Sequence, residues 1–196
     1  MRHVHLVGPG GVGKTSTGRA LARQLGWCFF DLDETFLARL GSIDACIEHS
    51  GLVAYARRNV GLYCRERARL PDDAVIALSS GFMLPRVSRP SHGALLDDIA
   101  DDPLTRLLLP SFEVEPCVAE VVRRQLAKPW LSTDARREED KIRRRLPLHL
   151  SLPCRRIASV GSVEETAGRL LDDLAPALER SISPPDRPRR PAEPLP

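Results

Sequence analysis

No apolar stretch of the chain reaches the roughly 18 residues that a membrane-spanning helix needs, so no span is expected. A strand pattern begins at about Arg2, which leaves no room for a secretory signal and argues for the cytoplasm. The five cysteines, Cys28, Cys46, Cys64, Cys117 and Cys154, are odd in number, far apart and contain no C-x-x-C pair. That excludes a zinc or disulfide framework and predicts buried, reduced thiols. The five histidines, His3, His5, His49, His92 and His149, also lack ligand spacing, apart from His3 and His5. Those two share one face of the first strand and read as structural. No internal repeat is present, and a net charge of +3 is too small to imply nucleic acid.

What is present is ordinary for a globular chain: 196 residues, 42% apolar and 28% charged, enough for one domain with a single sheet covered by helices. The charge is uneven. Between Arg123 and Arg156 eleven Lys or Arg face four Asp or Glu, a local excess of seven. The stripe is either functional or a solvated helix face balanced by Glu138, Glu139 and Asp140. The segment 181–196 holds six prolines in sixteen residues and almost nothing apolar. It is expected to be a disordered, solvated tail outside the domain at 1–180, in preference to a docking peptide for a partner.

The dominant feature is Gly8-Pro9-Gly10-Gly11-Val12-Gly13-Lys14-Thr15-Ser16, which fits G-x-x-x-x-G-K-[ST] after the apolar run 4–7. Glycines let successive N–H groups point into one concavity that holds phosphate oxygens. Lys14 can reach the outer phosphates, Thr15 can hold Mg²⁺ through its hydroxyl, and the positive end of the helix that follows adds to the attraction. The alternative is a glycine-rich turn that binds nothing.

Strands are expected at 2–7, 27–32, 74–79, 105–109 and 155–159. Helices fill the intervals: one ending at Gly26, a pattern over 34–70 broken at Gly41 and Gly51 with Ser42 as a cap, a short one near 94–100 after turn signals at 85–91, and then 115–127, 137–146 and 162–180. A mobile loop is expected at 130–137. Alternating strands and helices predict an α/β fold, a five-stranded parallel sheet with helices on both faces. The second strand delivers Asp31 and Asp33 at its carboxyl end, where ligands bind in such sheets. At i and i+2 on an extended end their carboxylates point the same way, toward a shared cation; the alternative is that one of them caps the next helix.

These residues resemble the shikimate kinases, small P-loop kinases that phosphorylate a ring hydroxyl of shikimate with MgATP. The similarity covers about residues 1–178. It rests on Gly13-Lys14-Thr15-Ser16-Thr17-Gly18-Arg19 with Leu21-Ala22 and Leu25-Gly26, on Asp31-Leu32-Asp33, on Gly41-Ser42-Ile43, on Lys128-Pro129 and on Arg145-Leu146-Pro147-Leu148-His149. Departures fall in the acceptor half. The family's G-E-x-x-F-R-x-x-E reads Gly51-Leu52-Val53-Ala54-Tyr55-Ala56-Arg57-Arg58-Asn59, so Ala56 replaces the substrate-binding arginine and Asn59 the glutamate, and the family's three glycines read Ser79-Ser80-Gly81.

The resemblance implies a P-loop kinase fold with a lid at about 129–137 and a cofactor set of ATP and Mg²⁺. The backbone from Gly10 through Gly11, Val12 and Gly13 to Lys14, with Thr15 and Ser16, would hold the phosphates. Thr15 would ligate magnesium and Asp31 its water shell. Asp33 would bind the acceptor hydroxyl and take its proton, and Lys128 would approach the phosphates from the lid, without the bidentate fork of an arginine. Arg124 would lie against adenine. On the acceptor side stand Asp33, Arg145 for an anionic group, Ser80 and Gly81, and Arg57. Arg57 is adjacent to the lost position, but one helical step turns a side chain by about 100°, so it is no automatic substitute. Ser79 and Ser80 either bond a polar acceptor or fill space and satisfy each other.

The implied activity is phosphoryl transfer to a hydroxyl of a small polar molecule, which on the Arg145 match can still be an acid. No nucleic acid or membrane partner is expected. An ATP-binding regulatory module without catalysis, or a kinase of nucleotides or macromolecules, stands as the alternative.

Overall fold

The computed structural model describes residues 1–83, 85–127 and 134–182, and the side chains of 85–91 and 182 lie outside that description. Five strands form one parallel sheet in the order β2-β3-β1-β4-β5: β1 (Arg2–Val7), β2 (Cys28–Asp31), β3 (Asp73–Ala77), β4 (Arg106–Leu109) and β5 (Arg155–Ala158). Seven helices are seen among the described residues: α1 (Lys14–Leu25), α2 (Leu32–Leu40), α3 (Ile43–Arg67), α4 (Pro85–Asp101), α5 (Val114–Leu126), α6 (Ala135–Leu150) and α7 (Val163–Ile182). The α/β architecture with helices on both faces is thus the one expected.

The strands are apolar because both faces of the sheet are covered. Val4, Leu6, Ile76, Leu107 and Leu108 are fully buried, and α1 packs on α7 and β3 while α5 packs on α6. Registers Val4↔Val75 and Leu6↔Arg106 place β1 between β3 and β4. The connections after β1 and β3 leave in opposite directions, which opens a crevice at the carboxyl edge of the sheet. The loop after β1, Asp31 at the end of β2 and Ser79-Ser80-Gly81 after β3 all lie on that edge.

At the opposite edge Arg106 is buried, an unusual position for a guanidinium. It donates from Nε to Asp173 Oδ1 at 2.6 Å and from Nη1 to the carbonyls of Pro103 and Thr105. A cavity of about 230 Å³ beside it, lined by Asp101, Cys154 and Arg180, lies far from the phosphate loop.

Several boundaries differ from expectation. β2 ends at Asp31 and α2 begins at Leu32, so Asp33 sits in the first helical turn and does not alternate with Asp31 on an extended end. The cause is local: Asp31 Oδ1 accepts from Glu34 N at 3.0 Å, which makes Asp31 the cap of α2. The turn-rich stretch 85–91 is the start of α4, because a proline at the first helical position gives up an N–H that has no internal partner anyway. α6 begins at Ala135 and runs through Pro147 to Leu150, anchored by the buried Ile142, Leu146 and His149 on its inner face.

Of the expected lid, residues 128–133 lie outside the described residues, whereas Asp134 caps α6 by accepting from Arg136 N at 2.9 Å. The tail beyond Ile182 is also outside them. The breaks in the 34–70 pattern fall where expected. Gly41 ends α2, Ser42 Oγ accepts from Ala45 N, and Gly51 kinks α3 with φ 80°. Cys46, Cys117 and Cys154 are buried, but Cys64 is exposed because it falls on the outer face of α3.

Candidate active site

The phosphate loop is shaped by two different demands on glycine. Gly13, the cap residue of α1, has φ 95°, a left-handed conformation that side chains rarely adopt. Gly10 meets a neighbour: a Cβ there would lie 2.4 Å from Nε2 of Gln125, in the last turn of α5. Gln125 is buried and donates to Glu138 Oε1 of α6 at 3.3 Å, while its own Oε1 has no partner among the described residues. Glu138 is buried as well and pairs with Lys141 at 2.5 Å. A polar brace thus runs from α6 through α5 to the loop.

Lys14 is buried, and its Nζ donates to the carbonyls of Gly8 at 2.8 Å and Pro9 at 2.9 Å. The ammonium thus lies across the loop, held by two of its own carbonyls. Thr15 Oγ1 donates to Asp31 Oδ2 at 2.7 Å. Val12 is buried and Ser16 exposed. A groove of about 620 Å³ leads from Thr15 and Ser16 along α1 past Arg19 to Trp27 and Phe29.

Beside the end of β3 the structure brings together Asp33, Tyr55, Asn59, Ser79 and Arg145. Asn59 Nδ2 donates to the Tyr55 hydroxyl at 3.3 Å, and Ser79 Oγ donates to Asn59 Oδ1 at 3.4 Å. Ser79 thus bonds Asn59 and not Ser80, and Ser80 and Gly81 are half-buried beside it. Burial, and after it the Asp33 carboxylate, push the Tyr55 hydroxyl up to about 12, while Ser79 and Arg145 oppose the shift. Arg57 is exposed, beside the buried Ala56 and between the buried Tyr55 and Asn59. The adjacent Arg58 is exposed as well and reaches Cys46 Sγ at 3.3 Å.

Arg145 is half-buried and has no hydrogen bond or ion pair among the described residues. Burial pulls its guanidinium below the ordinary value, with Tyr55 and Glu138 opposing. One turn further along α6, His149 is 2% exposed, and neither ring nitrogen has a partner among the described residues. Burial first, then the charges of Lys14 and Arg145, lower it to about 3, so the imidazole is neutral. Lys14, Arg145 and a neutral imidazole thus lie close together, a cluster whose positive charge attracts anions.

Much of the basic stripe is neutralised elsewhere. Arg143 pairs with Glu115 and Glu139, Arg155 with Asp173, and Arg123 and Arg124 share Glu120, which they hold at about 2. Arg124 also donates to the Ser159 carbonyl at 2.8 Å, which fixes its plane beside the loop after β5. Lys128 lies outside the described residues.

Sequence reading alone missed Tyr55, Gln125, Glu138 and His149 as members of the site. The i, i+4 spacings Tyr55 to Asn59 and Arg145 to His149 were the available signals for two of them. Nothing local marks Gln125.

A family model described as shikimate kinase matches residues 10–175 of the chain. The shikimate kinase of Methylococcus capsulatus is 41% identical over 58 residues, covering 29% of this chain and 32% of that protein. The shikimate kinase of Ralstonia nicotianae is 36% identical over 95 residues, covering 48% and 47%. The chain thus spans less than half the length of these curated relatives in its matches. Among solved structures, shikimate kinase from Acinetobacter baumannii in complex with shikimate aligns with a TM-score of 0.69 at 21% identity, over 93% of this chain and 96% of that chain. At that identity the likeness shows the fold.

Proposed function

Because the chain belongs to the shikimate kinase family, whose members are ATP-dependent phosphotransferases, we propose that it transfers the γ-phosphoryl group of MgATP to a hydroxyl of a small polar acceptor. The observation that carries this reading is the contact of Thr15 with Asp31, 2.7 Å between oxygens, beside Lys14 at the carboxyl edge of the sheet. A loop that only bound phosphate would need Lys14 and the backbone; a carboxylate placed on the Thr15 hydroxyl adds the hard oxygen donors that suit magnesium. The pair fits that ion, which takes few protein ligands and keeps several waters. Thr15 would hold it directly and Asp31 through the water shell, and magnesium would supply neutralisation of the phosphate charge.

The chain's own groups do the rest. Backbone N–H groups from Gly10 to Ser16 hold the phosphates, and Lys14 leaves the Gly8 and Pro9 carbonyls to bridge β and γ. Arg124, its plane fixed by Glu120 and Ser159, supports the base. Arg145 takes the anionic group of the acceptor, with Ser80 and Gly81 lining the end of β3. Arg57 reaches the acceptor only if its side chain turns inward from its exposed position. Lys128, on the segment between α5 and α6, adds charge from the lid. The acceptor oxygen forms its bond to the γ-phosphorus as the bond to the ADP oxygen breaks, and its proton passes to the Asp33 carboxylate. Because the transition state is loose, positioning weighs more than proton removal.

Purified protein is assayed for acceptor-dependent ADP release with shikimate and a panel of cyclitols, sugars and hydroxy acids. Turnover on one of them, with loss of at least about 10³-fold in Lys14→Met and Asp33→Asn, is the expected result for groups that act on the transferring phosphoryl. ATP binding without ADP release on any acceptor would make the chain a nucleotide-binding module instead.

A further inference from the structure

At the amino edge of the sheet, opposite the phosphate loop, the cavity of about 230 Å³ lies where β4 and β5 begin, beside the end of α4 and the last turns of α7. Three arginines and three aspartates line it, and they do not cancel pair by pair. Arg106 and Arg155 share a single carboxylate, the first through Asp173 Oδ1 at 2.6 Å and the second through Oδ2 at 2.7 Å. Arg180, in the last turn of α7, and Asp101, the last residue of α4, are exposed and have no hydrogen bond or ion pair among the described residues. Both line one small cavity, yet no ion pair joins them. The charges are also sorted by element. Asp101 and Asp102 stand at the end of α4, where the helix dipole adds partial negative charge, whereas Arg155 and Arg180 come from β5 and α7. The rest of the wall is largely apolar and stiff: Pro103, Pro153, Pro176 and Ala177 have no side-chain rotamers to lose when a ligand covers them. Thr105 lines the cavity as well, 1% exposed, with an Oγ1 that has no hydrogen-bond partner among the described residues. Buried hydroxyls are rarely left so, and the wall has a bond still to make.

We propose that this cavity is a binding site for a free amino acid with an apolar side chain, whose carboxylate pairs with Arg180 and whose ammonium pairs with Asp101. A molecule carrying only the anion would bring its charge toward the acidic end of α4 with nothing to offset it, and one carrying only the cation would do the same toward Arg155 and Arg180. A zwitterion answers both. The volume bounds its size: at about 30 Å³ per water in the liquid, the cavity holds about seven waters. That is room for a molecule such as leucine, and it falls below the roughly 300 Å³ at which pockets for drug-sized ligands begin.

Calorimetry on the full chain measures binding of alanine, valine, leucine and phenylalanine, each beside its own amide, which lacks the carboxylate, and its own desamino acid, which lacks the ammonium. Expected is binding of at least one of the four, about 10-fold or more tighter than both of its analogues. Arg180→Ala and Asp101→Asn each weaken that binding by about 10-fold or more, since each removes one charge-assisted bond to the ligand, while the affinity for ADP stays that of the wild type. Both side chains are exposed and unbonded among the described residues, so neither substitution removes a contact that holds the fold. Thermal unfolding of the two variants checks this.

No binding of any of the four, equal binding of an amino acid and its analogues, binding that ADP displaces, or binding that either variant retains in full would each overturn the assignment. Phosphoryl transfer plays no part in the measurement, so a chain that fails as a kinase but binds an amino acid in this way keeps the site.

Discussion

Gly10 is a glycine for a reason that its own backbone does not supply. Its neighbour in space is the Gln125 amide, 2.4 Å from where a Cβ would stand, and that amide is tied to Glu138. Gly10→Ala should therefore push Gln125 off Glu138, costing about 1 to 3 kcal/mol as overpacking does, and weaken ATP binding. Gly10→Ala combined with Gln125→Ala should recover most of the loss. ATP titration and urea unfolding of the two single variants and the double variant check this, and additive losses would refute it. At this scale the sequence was informative where chemistry and spacing coincide: Lys14, Thr15 and Asp31 are where G-x-x-x-x-G-K-[ST] and the end of β2 place them. It was silent on Gln125 and Glu138, because their roles come from the approach of two helices that are remote in sequence from the loop.

Helix ends carry much of the accuracy of this site, because α2, α6 and α7 each begin near it. The start of α7 is a reciprocal cap: Ser162 Oγ accepts from Glu165 N at 3.1 Å, and Glu165 Oε2 accepts from Ser162 N at 2.7 Å. Ser162→Ala should cost about 1 kcal/mol, seen as a fall of about 2 to 4 °C in Tm for a chain of this size, with the loop after β5 loosened. A larger rise in KM for ATP than for the acceptor would accompany it, since Arg124 is held on Ser159 in that same loop. Element order and sheet membership were legible from apolar periodicity. The boundaries were not, where capping or tertiary burial overrode a local signal. Asp31 took the cap and ended β2 early, and buried Leu146 and His149 carried α6 through Pro147.

At the scale of the molecule, two buried histidines tie stability to pH. His5 lies in the core of β1, bonded through Nε2 to the Tyr63 hydroxyl at 2.8 Å, and burial followed by the charge of Arg67 lowers it to about 3. His149 reaches the same value in the crevice. In the unfolded chain both titrate near 6.5. Their folded values are depressed, so the unfolded state binds protons first as pH falls. Stability is then complete above about 6.5 and declines from there down toward 3, by about 1.4 kcal/mol per pH unit for each residue. At pH 5 the two together should remove about 4 kcal/mol, a large share of the roughly 5 to 15 kcal/mol that holds a domain.

The paired carboxylates Asp73, Glu115, Glu120 and Glu165 are held below their usual range, so their contributions fade only at lower pH and do not overlap the upper part of this window. Urea unfolding between pH 7.5 and 5 should show the decline, and His149→Phe should halve its slope while His5 keeps the remainder. An unchanged midpoint across that interval would mean that neither ring stays neutral in the folded chain. The electrostatic balance around Lys14 and Arg145, in which a third cation at His149 is avoided, would then have to be redrawn.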